Sequence, residues 1–452
     1  MSPVAAIVLA AGKGTRMKSN RAKVLHPLLG RPLVHYALDA LDGLNASPKL
    51  VVVGHEADAV RQTIGDRARF AEQTEQKGTG HAVMMAMPGL LGFEGRVLVM
   101  CGDMPLITAE SLQRLIDRCE ESRAAISMLT VEFPGPTDFG RILRDDCGWV
   151  CRIVEARDCT EEQLAIREVN LATYCLDSTV LAELLPRVGT QNDQGEYYFT
   201  DIVGLAVAAG HRVEAVCISD TDQSLGVNTR ADLARAGQVL RDRINRHWML
   251  AGVSIVDPGS TWIEPGVKLG VDTVLLPGTW LEGDTEVGEG CTIGPHTRIT
   301  RSLIGSGCVV QNSVLLEARL EERVTVGPFA YLRPGAHVGP DAKVGDFVEI
   351  KNARVEAGAK VPHLSYVGDA DIGPRVNIGC GTITCNYDGV RKHRTVIEEG
   401  AFIGSNTSLV APVTVGKGAR TGAGAVVNRD VAPGQTVAGV PARPLPVKTE
   451  PK

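Results

Sequence analysis

Hydrophobic positions follow two different rules along this chain, and the change falls near residue 250. Through residue 228 the apolar residues come in short runs separated by helical patterns. The runs Val4–Ala11, Leu50–Val53, Val97–Cys101, Ala124–Val131, Val169–Leu176 and Val213–Ile218 read as buried strands. Between them, Leu33–Leu44, Glu56–Ile64, His81–Leu91, Thr108–Cys119 and Tyr197–Ala209 have helical spacing. This alternation predicts an α/β fold, a doubly wound and mostly parallel sheet covered by helices on both faces. Ligands of such sheets collect at the carboxyl ends of the strands. From Thr229 to Ala251, apolar residues at Leu233, Val239 or Leu240, Ile244, and Trp248 or Met249 predict one long helix. Thr229 is its expected N-cap, and Gly252 ends it.

Beyond residue 253 the period becomes six. Leu269, Leu275, Leu281, Val287, Ile293 and Ile299 form one run; Val326, Leu332, Val338, Val344 and Ile350 form a second. Ile403, Leu409, Val415, Thr421 and Val427 form a third. Three runs agreeing in period mark a hexapeptide repeat, hence a parallel β-helix with each aliphatic residue pointing into a triangular prism. The expected organisation is therefore 1–228, a linker helix 229–252, a β-helix 253–440, and a Pro- and Lys-rich flexible tail 441–452.

Composition narrows the functional classes. The net charge of −6 gives no basic surface for nucleic acid or anionic membrane. Arg235, Arg241, Arg243 and Arg246 form a stripe on the linker, but Asp232 and Asp242 interrupt it, as on an ordinary solvated helix face. No apolar run approaches the length of a membrane span and no leader precedes the first strand, so a soluble, cytoplasmic protein is expected. The eleven cysteines are scattered without a C-x-x-C, which fits reduced thiols. Aromatic residues are only 4% of the chain while glycines number 50, which favours a repetitive fold over part of the length.

The chemistry starts at Val4–Lys23, where a buried strand breaks into Gly12-Lys13-Gly14-Thr15. Such a loop can bring bare backbone N–H groups up to phosphate oxygens, and Arg16 and Lys23 add two cations. A strand-to-helix turn that needs glycine for its shape explains the same glycines. The segment is not a P-loop, since no Lys-Ser or Lys-Thr follows the second glycine, nor G-x-G-x-x-G, since Met17 replaces the third. Asp103 follows the apolar run Val97–Cys101, an expensive place for a charge unless it is paired or binds a metal. The alternative is a turn-forming Asp before Pro105.

The string L-A-A-G-K-G-T-R-M with a following lysine resembles the signature of sugar-nucleotide pyrophosphorylases. Ala22 stands where that family usually has proline, and Cys101 where it has Tyr or Ala. Q-x-E-Q-x-G-T-G-H-A, residues 73–82, resembles the uracil-binding segment of the N-acetylglucosamine-1-phosphate uridylyltransferases. The resemblance implies a UDP-N-acetylglucosamine site made by Leu9, Ala10, Ala11, Gly12, Lys23, Gln73, Gly78, Thr79, Cys101, Gly102 and Asp103. It adds Gly140, Glu155 and Asn170 around the sugar ring, and Asn228, which joins Asp103 as a Mg²⁺ ligand. The sugar phosphate oxygen would attack the α-phosphorus of UTP, with Lys23 and Arg16 neutralising charge.

In the second half, polar residues interrupt the repeat at Arg333, Lys351, His363, Tyr366, Asn377 and Asn386, and residues 385–394 leave its register. A purely structural β-helix is the plain alternative. The segments 360–369 and 381–389 resemble the glucosamine-1-phosphate acetyltransferase domain of the same bifunctional enzymes. That resemblance implies His363 as general base, and Arg333, Lys351, Tyr366 and Asn377 as sugar-phosphate contacts. Cys380, Asn386, Tyr387, Ser405 and Ala423 would lie along acetyl-CoA. It also implies a left-handed helix, a homotrimer, and products used in peptidoglycan and lipopolysaccharide synthesis. Cys380 replaces the usual alanine, and Gly439 stands where some relatives carry arginine. Two rivals are a nucleotidyltransferase with a merely oligomerising β-helix and a non-enzymatic trimeric sensor of sugar nucleotides.

Overall fold

The computed structural model describes residues 2–133, 135 and 137–445. The chain divides into two compact units between Leu240 and Arg241, inside a helix that runs Arg230–Leu250. No helix of the described residues is long and apolar enough to cross a membrane. All eleven cysteines are free thiols, so packing rather than cross-linking holds each unit.

In the first unit the sheet runs, edge to edge, Val213–Ile218, Ile126–Glu132, Glu168–Asp177, Arg96–Cys101, Val4–Leu9, Lys49–Val53 and Arg69–Glu72. Along this order the pairs are parallel except those of Glu168–Asp177, which is antiparallel to both neighbours; off it, the hairpin Arg141–Arg144/Val150–Val154 adds antiparallel pairs. The sheet is buried on both faces, which explains unbroken apolar runs in place of alternation. Ala6 and Val8 face a core with Leu38, Leu41, Leu112 and Leu115. Ala5 and Ile7 face the other core, with Val83, Ala86, Leu181 and Ile202.

Three expectations shift. The first strand ends at Leu9, leaving Ala10 and Ala11 buried in the loop that follows. The helix expected from His81 begins at Thr79 and stops at Ala86, just before Met87 and Pro88, whose missing N–H cannot continue an α-helix. The helix expected from Tyr197 begins at Asp201, because the Tyr197 backbone is already used: its carbonyl accepts from Gly80 N–H at 2.7 Å and its N–H donates to Lys77 at 2.8 Å. The edge strand Arg69–Glu72, the hairpin Arg141–Arg144/Val150–Val154 and the helix Ser178–Leu184 lacked a clear apolar period.

The long helix serves both units. Ala236 is buried with Met17, Leu33 and Val227 in the first, while Ile244 and Trp248 pack on the core of the second. Its basic stripe is partly consumed: Arg241 pairs with Asp242, donates to the Gly259 carbonyl at 2.6 Å and lies 5.0 Å from the Trp262 ring.

The second unit is a parallel β-helix. Three sheets receive every third strand in turn, so Ser254 pairs with Val274, Val274 with Thr292, and Thr292 with Val309. The hexad residues form one continuous core; from Leu275 through Val427 each is buried, and Leu269 is half-buried near the first coil. Corner hydroxyls satisfy the backbone they cover. Thr279, Thr285, Thr382 and Thr407 each donate to the carbonyl three residues back, at 2.6–2.7 Å. The excursion near residue 390 lengthens one coil, so that Asn377 pairs with Phe402 where Phe402 next pairs with Arg420. The tail expected from residue 441 is corrected at its start. Arg443–Pro444 pairs antiparallel with Thr436–Ala438, Leu445 N–H reaches the Thr436 carbonyl at 2.9 Å, and Ala442 packs on the core. The rest of that expected tail, 446–452, lies outside the described residues.

Candidate active sites

Sheet register assembles the first site. Leu9 and Cys101 are paired on adjacent parallel strands, so both chains leave the sheet side by side, and Gly102 N–H donates to the Leu9 carbonyl at 2.9 Å. This sets Asp103 beside the glycine loop. Val227 N–H donates to the Asp103 carbonyl at 2.9 Å, which brings in Asn228 from more than a hundred residues away. The Lys23 ammonium lies between Asp103 Oδ2 and Asn228 Oδ1, the latter at 3.0 Å. Gly14 is left-handed at φ +59°, and a Cβ there would come within 2.7 Å of Lys23 Cβ; glycine lets the lysine lie flat against the loop. At Gly12 an added Cβ would meet no protein atom, so its backbone faces open space.

Asp103 and Asn228 present two hard oxygen donors to one point that already holds a cation. Among the described residues no cluster of three His, Cys, Asp or Glu could hold a metal unaided. The pair therefore suits a small hard cation completed by phosphate oxygens and water, not a closed protein cage. The neighbouring Cys101 thiol is pushed up to about 12 by burial and by the Asp103 carboxylate. It is a neutral wall of the site, not a nucleophile.

A cleft of about 280 Å³ opens at these strand ends. Leu9, Ala10, Ala11, Gly12, Lys23, Gln73, Gly78, Thr79, Cys101 and Asp103 all line it. Gln73 is buried and its amide donates to the Gly78 carbonyl at 3.0 Å, while Thr79 Oγ1 accepts from Phe199 N–H at 3.0 Å. A second cleft of about 420 Å³ shares Thr79 and contains Arg16 and Glu155. Burial raises the Glu155 carboxyl above its ordinary range against the opposing bond from Thr200 at 3.0 Å. Gly102, Gly140, Asn170 and Asn228 are outside the lining of both clefts. Asn170 is buried, donates to Tyr174 Oη at 2.6 Å, accepts from Ala172 N–H at 3.1 Å and donates its own N–H to the Gly140 carbonyl at 2.9 Å.

The second site lies on the β-helix surface. His363 is exposed, and its Nδ1 is bonded to Asp346 Oδ1 from the preceding coil. Cys380 follows Asn377 by the interval at which His363 follows Lys360, its strand partner, so it falls on the next coil. Cys380, Ser405 and Ala423 stack along one corner: Asn406 N–H donates to the Cys380 carbonyl at 2.7 Å, and Gly424 N–H to the Ser405 carbonyl at 2.8 Å. On the adjoining sheet Arg333 donates to Glu349 at 2.8 Å and lies 5.9 Å from the Tyr331 ring. Asn386 is buried, donates to Asp369, and lies 3.5 Å from Tyr366 Oη. Burial raises the Asp369 carboxyl, but bonds from Asn352 and Asn386 outweigh it and hold the group below its usual range. The Lys392 ammonium is lowered by the Lys351 ammonium beside it. Two like charges in contact are a poor arrangement unless an anion comes between them. Tyr387 is exposed and donates to the Gly389 carbonyl at 2.6 Å.

Residues 6–158 match the family model described as the MobA-like NTP transferase domain, and residues 394–429 match the bacterial transferase hexapeptide (six repeats). Over 429 residues the chain is 52% identical to the bifunctional protein GlmU of Heliobacterium modesticaldum, covering 95% of this chain and 94% of that one. The chain belongs to the GlmU family. The GlmU of Brevibacillus brevis is 49% identical over 431 residues (95% and 94% covered), and that of Pelobacter propionicus 48% over 438 residues (96% and 95%).

Several residues beside these two candidate sites are not singled out by the sequence. Gln76 and Glu196 line the first cleft, and Gln76 donates to the Ala11 carbonyl at 2.6 Å; Gln76 lies in the 73–82 string that carries the resemblance. Glu56 is less visible. It accepts from Ala22 N–H, a bond that a proline at position 22 could not donate. Ala22 holds φ −52°, within proline's range, so this GlmU-type chain fixes the turn before Lys23 by a hydrogen bond. Gly439 is left-handed at φ +92° and its carbonyl accepts from Val426 at 3.1 Å, closing the last coil.

Proposed function

We propose that this chain makes UDP-N-acetylglucosamine in two steps, acetylating glucosamine 1-phosphate with the β-helix and uridylylating the product with the first unit. The observation that carries the reading is the meeting of Lys23 and Asp103 in a cleft walled by the Gly12 loop and the Gln73–Thr79 segment, with Asn228 bonded to Lys23 from just outside its lining. Relatives called bifunctional match across both halves, which disfavours a β-helix that merely oligomerises. In this reading Gln73, Gly78 and Thr79 receive the uracil, and Glu155, Gly140 and Asn170 frame the N-acetylglucosamine. Asp103 and Asn228 would hold Mg²⁺, which neutralises polyphosphate charge when bound. Lys23 and Arg16 bring two further cations to the phosphates, and Gly12 leaves its backbone open to them. The sugar phosphate arrives already ionised, so the residues orient and neutralise, and no base is required.

At the second site, Arg333, Lys351 and Lys392 receive the sugar phosphate, Tyr366 and Asn377 the sugar, and His363 the amine proton. Cys380, Ser405 and Ala423 form the wall along which acetyl-CoA lies, with Asn386 and Tyr387 at its edge. The assembly is read as a homotrimer working in the cytosol, on the strength of the family.

Metal dependence tests the first half. Given UTP and N-acetylglucosamine 1-phosphate, the protein should release pyrophosphate with Mg²⁺ present and stop when the metal is chelated. Undiminished release in chelator would contradict the assignment of Asp103 and Asn228.

A further inference from the structure

The strands Lys343–Asp346 and Lys360–His363 each span four residues in a sheet where most strands span two. The extension makes Asp346 and His363 direct cross-strand partners. One glycine permits it: a Cβ on Gly345 would stand 1.8 Å from the Pro362 carbonyl oxygen, so any side chain there would force the two coils apart. The backbone thus holds Asp346 Oδ1 against His363 Nδ1. Other cross-coil pairs on this helix, such as Arg323–Asp341 and Arg301–Glu317, join long flexible arginines to acids and resemble ordinary surface ion pairs. His337 also meets a carboxylate of the preceding coil, Glu321, but through Nε2 at 2.9 Å; the His363 pair differs in using Nδ1, on an exposed imidazole whose Nε2 has no hydrogen-bond partner among the described residues.

We propose that Asp346 is a positioning residue for acetyl transfer, fixing His363 as the Nδ1–H tautomer with Nε2 outward as the proton acceptor. An ionised carboxylate can only accept, so Nδ1 must carry the hydrogen and Nε2 the lone pair. The His363 bond itself holds the Asp346 carboxyl below its usual range, so it is ionised when the imidazole is neutral. The inference rests on the reading of the β-helix as the acetyltransferase. In the step, the sugar amine nitrogen bonds to the acetyl carbonyl carbon and the carbon–sulfur bond breaks. The amine proton passes to Nε2 and then to the departing thiolate, releasing CoA as a thiol. Asp346 stays ionised throughout and faces the imidazolium formed midway.

The test compares Asp346→Ala, Asp346→Asn, His363→Ala and the double variant Asp346→Ala/His363→Ala, following CoA release chromatographically in the full-length protein. Asp346→Ala should lower kcat by on the order of 10–100-fold, part of the 10²–10⁴-fold that a general base supplies, with KM for glucosamine 1-phosphate nearly unchanged. Asp346→Asn, whose carbonyl can still accept from Nδ1–H, should recover part of the loss. In the His363→Ala background the Asp346 substitution should add nothing, because its effect passes through the imidazole. Thermal unfolding should be nearly unmoved, since both side chains are on the surface. Parent-like kcat in Asp346→Ala beside an inactive His363→Ala would overturn the inference and leave the acetyltransferase reading standing. An equal added loss in the His363→Ala background would make Asp346 merely structural. Full activity in His363→Ala would overturn the acetyltransferase reading itself.

Discussion

His363→Ala is expected to lower acetyl transfer by roughly 10²–10⁴-fold, the range a positioned general base contributes. Uridylyl transfer should be retained. The separation follows from construction: each unit has its own core, and the second is a single aliphatic stack that the exposed imidazole does not enter. Removing His363 creates no cavity and exposes no new apolar surface, so stability should hold. What disappears is a lone pair at the position where an ammonium or amine must shed its proton. Coupled assays of CoA and pyrophosphate on the same preparation check this. Parallel loss of both activities would point to unfolding, and loss of neither would remove His363 from the chemistry.

Asp103→Asn is expected to give the converse, a fall in uridylyl transfer of about 10²–10³-fold with acetyl transfer retained. The substitution preserves shape and removes one negative charge. Lys23 Nζ and Asn228 Oδ1 would then face a neutral amide, and the site would lose the carboxylate that pairs with the lysine. A divalent cation bound through one carboxylate, one amide oxygen and phosphates has little to lose before affinity collapses. Excess Mg²⁺ should therefore restore part of the rate. Pyrophosphate release titrated against Mg²⁺ checks it; a parent-like titration curve would show that the carboxylate does not serve the metal.

Much of this was legible before the structure. The β-helix announces itself because one inward residue recurs every six, and burial of Leu275 through Val427 follows directly from that period. The six long strands of the first unit were equally plain, since a sheet buried on both faces needs unbroken apolar runs. Ten of the expected cleft residues do meet in one cleft, because they sit in short strings at strand ends that the sheet register aligns. Contacts made across coils were not legible. Asp346 lies a full coil before His363, and coil length varies: Val309 pairs with Thr325 but Thr325 with Lys343. A period of six cannot specify such partners. Glu56 was hidden for another reason, since its partner is the backbone N–H of Ala22 and no side-chain pattern marks it. The hairpin at 141–154 and the strand Arg69–Glu72 lie where polar residues dominate and the apolar period fades.

If one chain performs both reactions, acetyl transfer should proceed with UTP omitted. Purified protein would be given acetyl-CoA and glucosamine 1-phosphate alone, and free CoA separated chromatographically, because eleven protein thiols would consume a thiol dye. The account predicts CoA release that depends on the sugar phosphate and disappears in His363→Ala. No sugar-dependent release, in protein that still forms pyrophosphate from UTP and N-acetylglucosamine 1-phosphate, would contradict it and reduce the β-helix to a scaffold.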